Sequence, residues 1–317
     1  MWVSGSALVW SLPITVRTKY CANWGWCVTE MKVGVLGARG LVGDCVLRIL
    51  SDMGCSVNAY SRKPMIESLP GVAWKRIVTD AIHDIQGNPI QSWVCLAPIW
   101  VIPDYFSLLE LCGARRIVAI SSTSRFTKID SNDKAESFVA NRLAESEKRV
   151  KVWAESKDIE LITLRPTLIY GYGQDKNITE IARFIQRYRF FPIIGQAYGL
   201  RQPIHAEDVA KTCVSALLMP GKINVTYNIT GGETLSYREM VQRIFDALGY
   251  RPRILTVPLW LFSIAVRLMR IFPRYRGWTT AMVERMNINM AFENEAEGID
   301  KSLIPRKFIL QPKDLPI

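Results

Sequence analysis

No C-x-x-C pair and no disulfide ladder occurs among the seven cysteines, which stand at positions 21, 27, 45, 55, 95, 112 and 213. That spacing excludes the common cysteine frameworks for a bound metal or a stapled secreted fold. Cys45 and Cys95 have apolar neighbours in the sequence, where a free thiol behaves as a small hydrophobe. A reducing, cytoplasmic compartment and no metal site are the expectations. Acidic side chains are also scarce: 29 Asp and Glu face 40 Lys and Arg, for a formal net charge of +11. Such an excess suits anionic small molecules, a membrane surface or nucleic acid. No helix-turn-helix, zinc-finger or RNA-recognition signature accompanies it, which leaves nucleic acid the least favoured partner.

Repeats and low-complexity stretches are missing too. The chain is 49% hydrophobic, enough for a sizeable core, and its 317 residues fit two average domains or one large α/β unit with a cap. No apolar run reads as a membrane span. Ala7 to Ile14 is short, lacks a basic region before it and has Arg17 and Lys19 behind it, the reverse of a secretory signal. Residues 1–30 read as a poorly ordered leader ahead of a start at Met31, with a short membrane-surface anchor as the alternative. Pro258 to Phe272 is apolar except Ser263, Arg267 and Arg270. At about 1.5 Å per residue a helix there is too short to cross a bilayer. It reads either as a peripheral membrane contact with its arginines toward anionic lipid, or as packing within the cap or a homodimer interface.

What is present is more specific. The stretch Met31-Lys-Val-Gly-Val-Leu-Gly-Ala-Arg-Gly-Leu-Val-Gly43 runs an apolar strand into Gly37, Gly40 and Gly43, and an apolar-periodic helix follows through Val46, Leu47 and Leu50. This is the pattern of a first βα turn that holds a dinucleotide pyrophosphate. Gly37 supplies the tight turn, Gly40 the close backbone approach and Gly43 the helix–strand packing. Ala38, Arg39, Leu41 and Val42 complete the loop, and the helix N-terminus offers its amides to the anion.

Beyond the loop, strand-like and helix-like segments alternate to about residue 170, which predicts a doubly wound parallel sheet with right-handed crossovers. Strands are expected at Lys32–Leu36, Val57–Tyr60, Trp74–Val78, Ser92–Leu96, Arg116–Ser121 and Glu160–Arg165. A long helix is expected from Asp133 to Lys157, with Val139, Leu143, Val150 and Trp153 inward. Residues 31–172 then form a Rossmann-type domain. Residues 173–317 form mainly a smaller cap, with some segments returning to the first domain. In the cap, a helix with Ile178, Ile181, Ile185 and Tyr188 inward is expected. Tyr227–Thr230 reads as a strand, and Ser236 with Glu239 as a capping box.

Four motifs, in order, resemble the extended branch of the short-chain dehydrogenase/reductase superfamily, the NAD(P)-dependent epimerases and dehydratases. They are Gly37 to Gly43, Ile120-Ser-Ser-Thr123, Leu164-Arg-Pro-Thr-Leu-Ile-Tyr-Gly171 and Arg201-Gln-Pro-Ile-His-Ala-Glu-Asp-Val-Ala210. The resemblance implies a nicotinamide cofactor and a nucleotide-linked sugar or similar anionic substrate. It implies that Ser122 or Thr123 meets the substrate and that Ser121, Ala97, Pro166 and Tyr170 line the cofactor or the reacting centre. Arg142 is expected to keep a ribose contact and Arg201 to grip a diphosphate, while His205 reads as a structural hydrogen-bonder. After the second strand the chain carries Ser61-Arg62-Lys63 and no acid until Glu67. That favours the 2′-phosphate of NADP over NAD.

One expected group is absent. The superfamily's chemistry relies on a Tyr-x-x-x-Lys pair on the helix after the fifth strand, and this chain has no tyrosine between Tyr105 and Tyr170. The nearest equivalents, Phe138-x-x-x-Arg142 and Ala144-x-x-x-Lys148, lack a phenol. Tyr170, Tyr105 or a hydroxyl at Ser122 or Thr123 is the candidate replacement. The alternative is an NADP(H)-binding sensor or assembly subunit without turnover.

Overall fold

The computed structural model describes residues 31–62, 69–77, 89–129, 133–219, 221, 224–258 and 285–316. The readings made for residues 1–30, Lys63, Val78 and 259–272 lie outside them.

A seven-stranded, all-parallel sheet forms the centre. Its strands are β1 (Lys32–Leu36), β2 (Ser56–Ser61), β3 (Val72–Arg76), β4 (Ser92–Cys95), β5 (Arg116–Ile120), β6 (Glu160–Pro166) and, from much later in the chain, β11 (Val225–Ile229). The spatial order is β3-β2-β1-β4-β5-β6-β11, so the winding direction reverses between β1 and β4. In open α/β sheets that switch point is where ligands bind, outside the carboxyl ends of the strands. The edge strand β3 starts two residues earlier than the sequence pattern suggests.

Both faces are covered, which explains the continuous apolar runs. On one face α1 (Leu41–Asp52) packs with α6 (Ala206–Leu218), joining Val46, Leu50, Val209 and Cys213 to Val33 and Val35 of β1. On the other face α2 (Phe106–Leu111) and α4 (Lys134–Ser156) carry Leu109, Leu143, Val150 and Trp153 onto Trp93 and Ile117. Trp93 lies fully buried beside its register partner Gly34, where any Cβ would come within 2.4 Å of the indole. A short helix, α3 (Ser124–Thr127), links β5 to α4, whose N-terminus is capped by Asp133 accepting from the Ala135 amide at 2.8 Å.

The cap holds a third core. It joins β7 (Ile169–Tyr170), α5 (Ile178–Tyr188), β8 (Phe191–Ile194), β9 (Leu200–Arg201), β10 (Ile204–His205), β12 (Leu235–Ser236), α7 (Tyr237–Ala247) and β13 (Ile254–Val257). Ile178, Ile181 and Ile185 are buried there, but Tyr188 is 50% exposed, a correction to the inward face expected of it. Tyr188 stands in the last turn of the helix, its ring against Phe184 at 4.7 Å between centroids and outside the cap's core. The Ser236–Glu239 capping box forms in both directions. Between them, α6 and β11 return to the first domain. Five described cysteines (45, 55, 95, 112 and 213) are buried.

Candidate dinucleotide site

The loop from β1 to α1 has the tight turn at Gly37 and the close helix packing at Gly43 that the sequence predicts. Gly37 sits at φ +78°, a conformation that L side chains rarely adopt, and an added Cβ would lie 2.5 Å from the Ala97 amide nitrogen. Gly43 packs so tightly that an added Cβ would stand 2.1 Å from the Ala38 carbonyl oxygen. Gly40 differs: an added Cβ would meet nothing nearer than the Gly37 carbonyl at 3.8 Å. It is the N-cap residue of α1, and no side chain caps that helix. The first-turn amides of Leu41, Val42 and Gly43 therefore point toward open space beside a glycine, at the positive end of the helix dipole. A pyrophosphate fits that cradle. The amides of Gly37 and Ala38 both donate to the Tyr60 carbonyl, which ties the loop to the end of β2.

From there the expected contacts spread along the carboxyl edge. Ala97 borders Gly37 at the end of β4. Ser61 ends β2, Arg62 follows it exposed, and Arg39 is exposed within the loop. Arg62 lies close enough to the half-buried Tyr105 to oppose the upward push that burial and Asp104 exert on its phenol. The Arg142 guanidinium stacks over Trp100, 5.0 Å from the ring centroid, next to the end of β4.

At the tip of β5 the hydroxyl residues divide. Thr123 is buried and gives both its amide and its Oγ1 to the Pro166 carbonyl, at 3.2 Å each. Ser122 accepts from the Ser124 amide at 3.1 Å, which leaves its own O–H to donate elsewhere. Ser121 is buried and donates to Glu147. Of the expected pair, Ser122 is thus the hydroxyl with a donor to offer.

Glu147 went unnoticed in the sequence, although an acid within the apolar stripe of α4 was a signal. It is 7% exposed and also binds Arg125 and Arg165, the latter by two bonds, 3.0 Å from Nε and 2.6 Å from Nη2. Burial pushes this carboxyl up, but the hydrogen bonds from Arg165 and Ser121 and the nearby guanidiniums outweigh it and hold it below the usual carboxylate range. The group is therefore an anion near neutral pH that anchors the β5 tip to β6. Residues four apart share a helix face, so Leu143 and Val139 are the side chains that precede Glu147 toward the β5 tip, one buried and one half-buried. Neither can exchange a proton. Phe138, one helical turn before Arg142, is 62% exposed and carries no phenol, and Lys148 is exposed as well.

Tyr170 is fully buried in the cap, edge-on to His205 and Phe308, and its hydroxyl has no hydrogen-bond partner among the described residues. Burial, with Asp314 adding to it, pushes its phenol well above the ordinary value. Such a group does not serve as an acid facing a ligand, which corrects the role expected of it. An unpaired buried hydroxyl costs stability. Tyr170→Phe is therefore expected to match or exceed the wild-type melting temperature and to leave dinucleotide binding unchanged. A fall of more than about 1 kcal/mol in unfolding free energy by denaturant titration would contradict the orphaned hydroxyl.

His205 caps α6: its Nδ1 accepts from the Glu207 amide at 3.1 Å, and Nε2 faces Asp314 Oδ1 at 3.1 Å. Arg201 is 5% exposed, and its guanidinium donates to the carbonyls of Leu200, Ile288 and Arg285. Burial pushes its pKa down to about 10. In this arrangement it fastens 285–288 to β9. The cations nearer the gap between α4 and the cap are Arg285, which meets Glu136 at 3.0 Å, and Lys128, whose pKa burial and Arg285 lower. No sequence signal distinguished these two, because contacts across the gap bring them together.

The sheet order, the switch point and the glycine loop are those of a doubly wound, Rossmann-type fold. Residues 106–230 match the model of the NAD dependent epimerase/dehydratase family. The chain is 23% identical over 137 residues to the UDP-glucose 4-epimerase of Vibrio cholerae, covering 43% of this chain and 42% of that protein. It is 28% identical over 100 residues to the Arabidopsis thaliana mitochondrial NADH dehydrogenase [ubiquinone] 1 alpha subcomplex subunit 9, covering 31% and 25%. The chain thus spans well under half the length of both. By structure it resembles the Thermus thermophilus UDP-glucose 4-epimerase solved with NAD, at TM-score 0.57 and 19% identity over 72% of this chain and 86% of that one. Among the described residues no helix is long and apolar enough to cross a membrane, and no cluster of three metal-ligating side chains occurs.

Proposed function

We propose that this chain is an NAD(P)-dependent, epimerase/dehydratase-like oxidoreductase acting on a nucleotide-linked sugar or similar anionic metabolite. The observation that carries this reading is the uncapped N-terminus of α1 beside Gly40, at the point where the strand order reverses. A bound nicotinamide dinucleotide would supply hydride exchange. The chain's own residues bind and orient: the Leu41, Val42 and Gly43 amides hold pyrophosphate, Ala97 and Pro166 wall the carboxyl edge, and Arg142 over Trp100 serves the ribose side. Ser122 offers a hydroxyl donor, while Lys128 and Arg285, with Arg201 behind them, make the gap attractive to a phosphate-bearing substrate. The likeness to a UDP-glucose 4-epimerase supports that substrate class.

NADP is the cofactor we favour, with NAD as the alternative. Arg39 and Arg62 flank the end of β2, where NAD sites carry an acid. Arg62→Ala is expected to weaken NADPH binding about tenfold, the worth of one charged hydrogen bond, and to leave NADH binding unchanged. Fluorescence titration of both coenzymes checks this; a clear preference of the wild type for NADH overturns the assignment.

Binding without turnover is the second reading, favoured by the lack of a phenol at Phe138 and Ala144, the nearest equivalents of the proton-transferring tyrosine. The likeness to a respiratory-complex subunit suits it. NADPH oxidation with a panel of nucleotide-linked keto-sugars separates the two. Turnover supports the enzyme, and tight binding with no oxidation across the panel supports the sensor or assembly role.

A further inference from the structure

Two basic stretches of the cap, far apart in sequence, meet on one surface. Residues 183–191 read RFIQRYRFF and 250–257 read YRPRILTV, with no acidic residue in either. Parallel pairing of β8 with β13 sets Phe191 against Ile254, and the Phe191 amide donates to the Arg253 carbonyl at 3.0 Å. Arg189 stacks on Tyr250, 3.9 Å from the ring centroid, and Arg187 lies over Tyr188. Arg187, Arg189, Arg251 and Arg253 are all exposed, and with them Tyr188 at 50% and Leu255 at 52%. The nearest acids flank the patch: Glu180, paired with Arg183 at 2.6 Å, and the exposed Asp246.

Arg189 stands at φ +64°, in the left-handed position that closes α5 and that glycine usually fills. An arginine there sacrifices some stability to keep a cation on this surface.

Several guanidiniums interleaved with an exposed phenol and an exposed leucine match the chemistry of a lipid interface. There the charges meet phosphate headgroups and the apolar tips enter the acyl boundary. Nucleic acid would use the cations but gains little from Leu255. We propose that this face of the cap docks onto an anionic phospholipid surface. Its occupant is independent of the dinucleotide site.

Co-sedimentation of the full chain with phosphatidylcholine vesicles, with and without phosphatidylglycerol, tests this. Binding only to the anionic vesicles, weakened by salt, is expected. Arg251→Glu/Arg253→Glu is expected to lower vesicle partitioning more than tenfold, from about 1 kcal/mol per basic side chain near an anionic leaflet, with NADPH binding unchanged. Arg189→Gly is the sharper variant: it is expected to raise the melting temperature while weakening vesicle binding severalfold, a pair of outcomes that a purely structural arginine does not give. The proposal is overturned if the wild type ignores anionic vesicles, or if the variants bind them as well as the wild type. It is overturned equally if a labelled RNA or DNA duplex binds this face and displaces the vesicles.

Discussion

Gly40→Asp is expected to abolish dinucleotide binding while the protein stays folded. The backbone at Gly40 is extended, at φ −136° and ψ 166°, a conformation open to any residue, and an added Cβ meets no close neighbour. Aspartate is also among the best N-cap residues, so its carboxylate would take the very amides that the pyrophosphate needs and would repel the phosphates as well. The melting temperature is expected to hold within about 2 °C or rise slightly. The affinity for NADPH and NADH is expected to fall at least about a hundredfold, a loss of about 2.7 kcal/mol. Gly43→Ala is the contrasting variant. Its Cβ would lie 2.1 Å from a backbone oxygen that cannot move without the whole loop, so binding and melting temperature should fall together. Calorimetric titration with differential scanning reads both. Wild-type affinity in folded Gly40→Asp would remove the footing of the proposed function.

The second large effect belongs to Glu147. Replacing it with alanine leaves the Arg125 and Arg165 guanidiniums, only 29% and 16% exposed, without their shared carboxylate, and Ser121 without its acceptor. Removing one partner of a buried ion pair costs about 3–5 kcal/mol. In a domain of this size that is a fall in melting temperature on the order of 10 °C. The pH dependence has a defined sign. Because the folded pKa of Glu147 is depressed, its stabilisation is present above the ordinary glutamate range and is lost as pH falls through the folded value. The stability gap between wild type and Glu147→Gln should therefore be widest near neutrality and shrink under acid. A gap that stays constant from pH 7 to about pH 3 would show that the carboxylate charge contributes nothing to that gap.

The two variants separate what the chain announces locally from what it hides. A glycine every third residue after an apolar strand is legible because the turn at Gly37 and the close packing at Gly43 are backbone requirements met within seven residues. The apolar runs of β1, β4, β5 and β6 are legible because burial on both faces leaves no polar alternation. The Ser236–Glu239 box and the Asp133 cap follow from side chains two or three positions from the amides they satisfy. Tyr188 misled because the 3.6-residue period shows which residues share a face, not where along a helix that face stops meeting a core.

The site residues fared differently. Arg201 and Tyr170 were placed by motif, and their motifs could not reveal that one guanidinium would be ringed by carbonyls from 285–288, or that one phenol would be closed in by Phe308. Arg285, Lys128 and Glu147 acquire their neighbours across tens of residues, through the packing of α4 against the sheet and of the cap against α3 and α4.

By itself the sequence determined the parallel doubly wound sheet, the phosphate-holding loop and the lack of a phenol on the helix after the fifth strand, since each depends on residue type at short, fixed spacing. Only the tertiary structure decided which cations are neutralised, which hydroxyls still have a proton to give and which arginines gather on one face of the cap. Charge and access at any one side chain are set by neighbours that the fold, not the local chain, brings within a few ångströms.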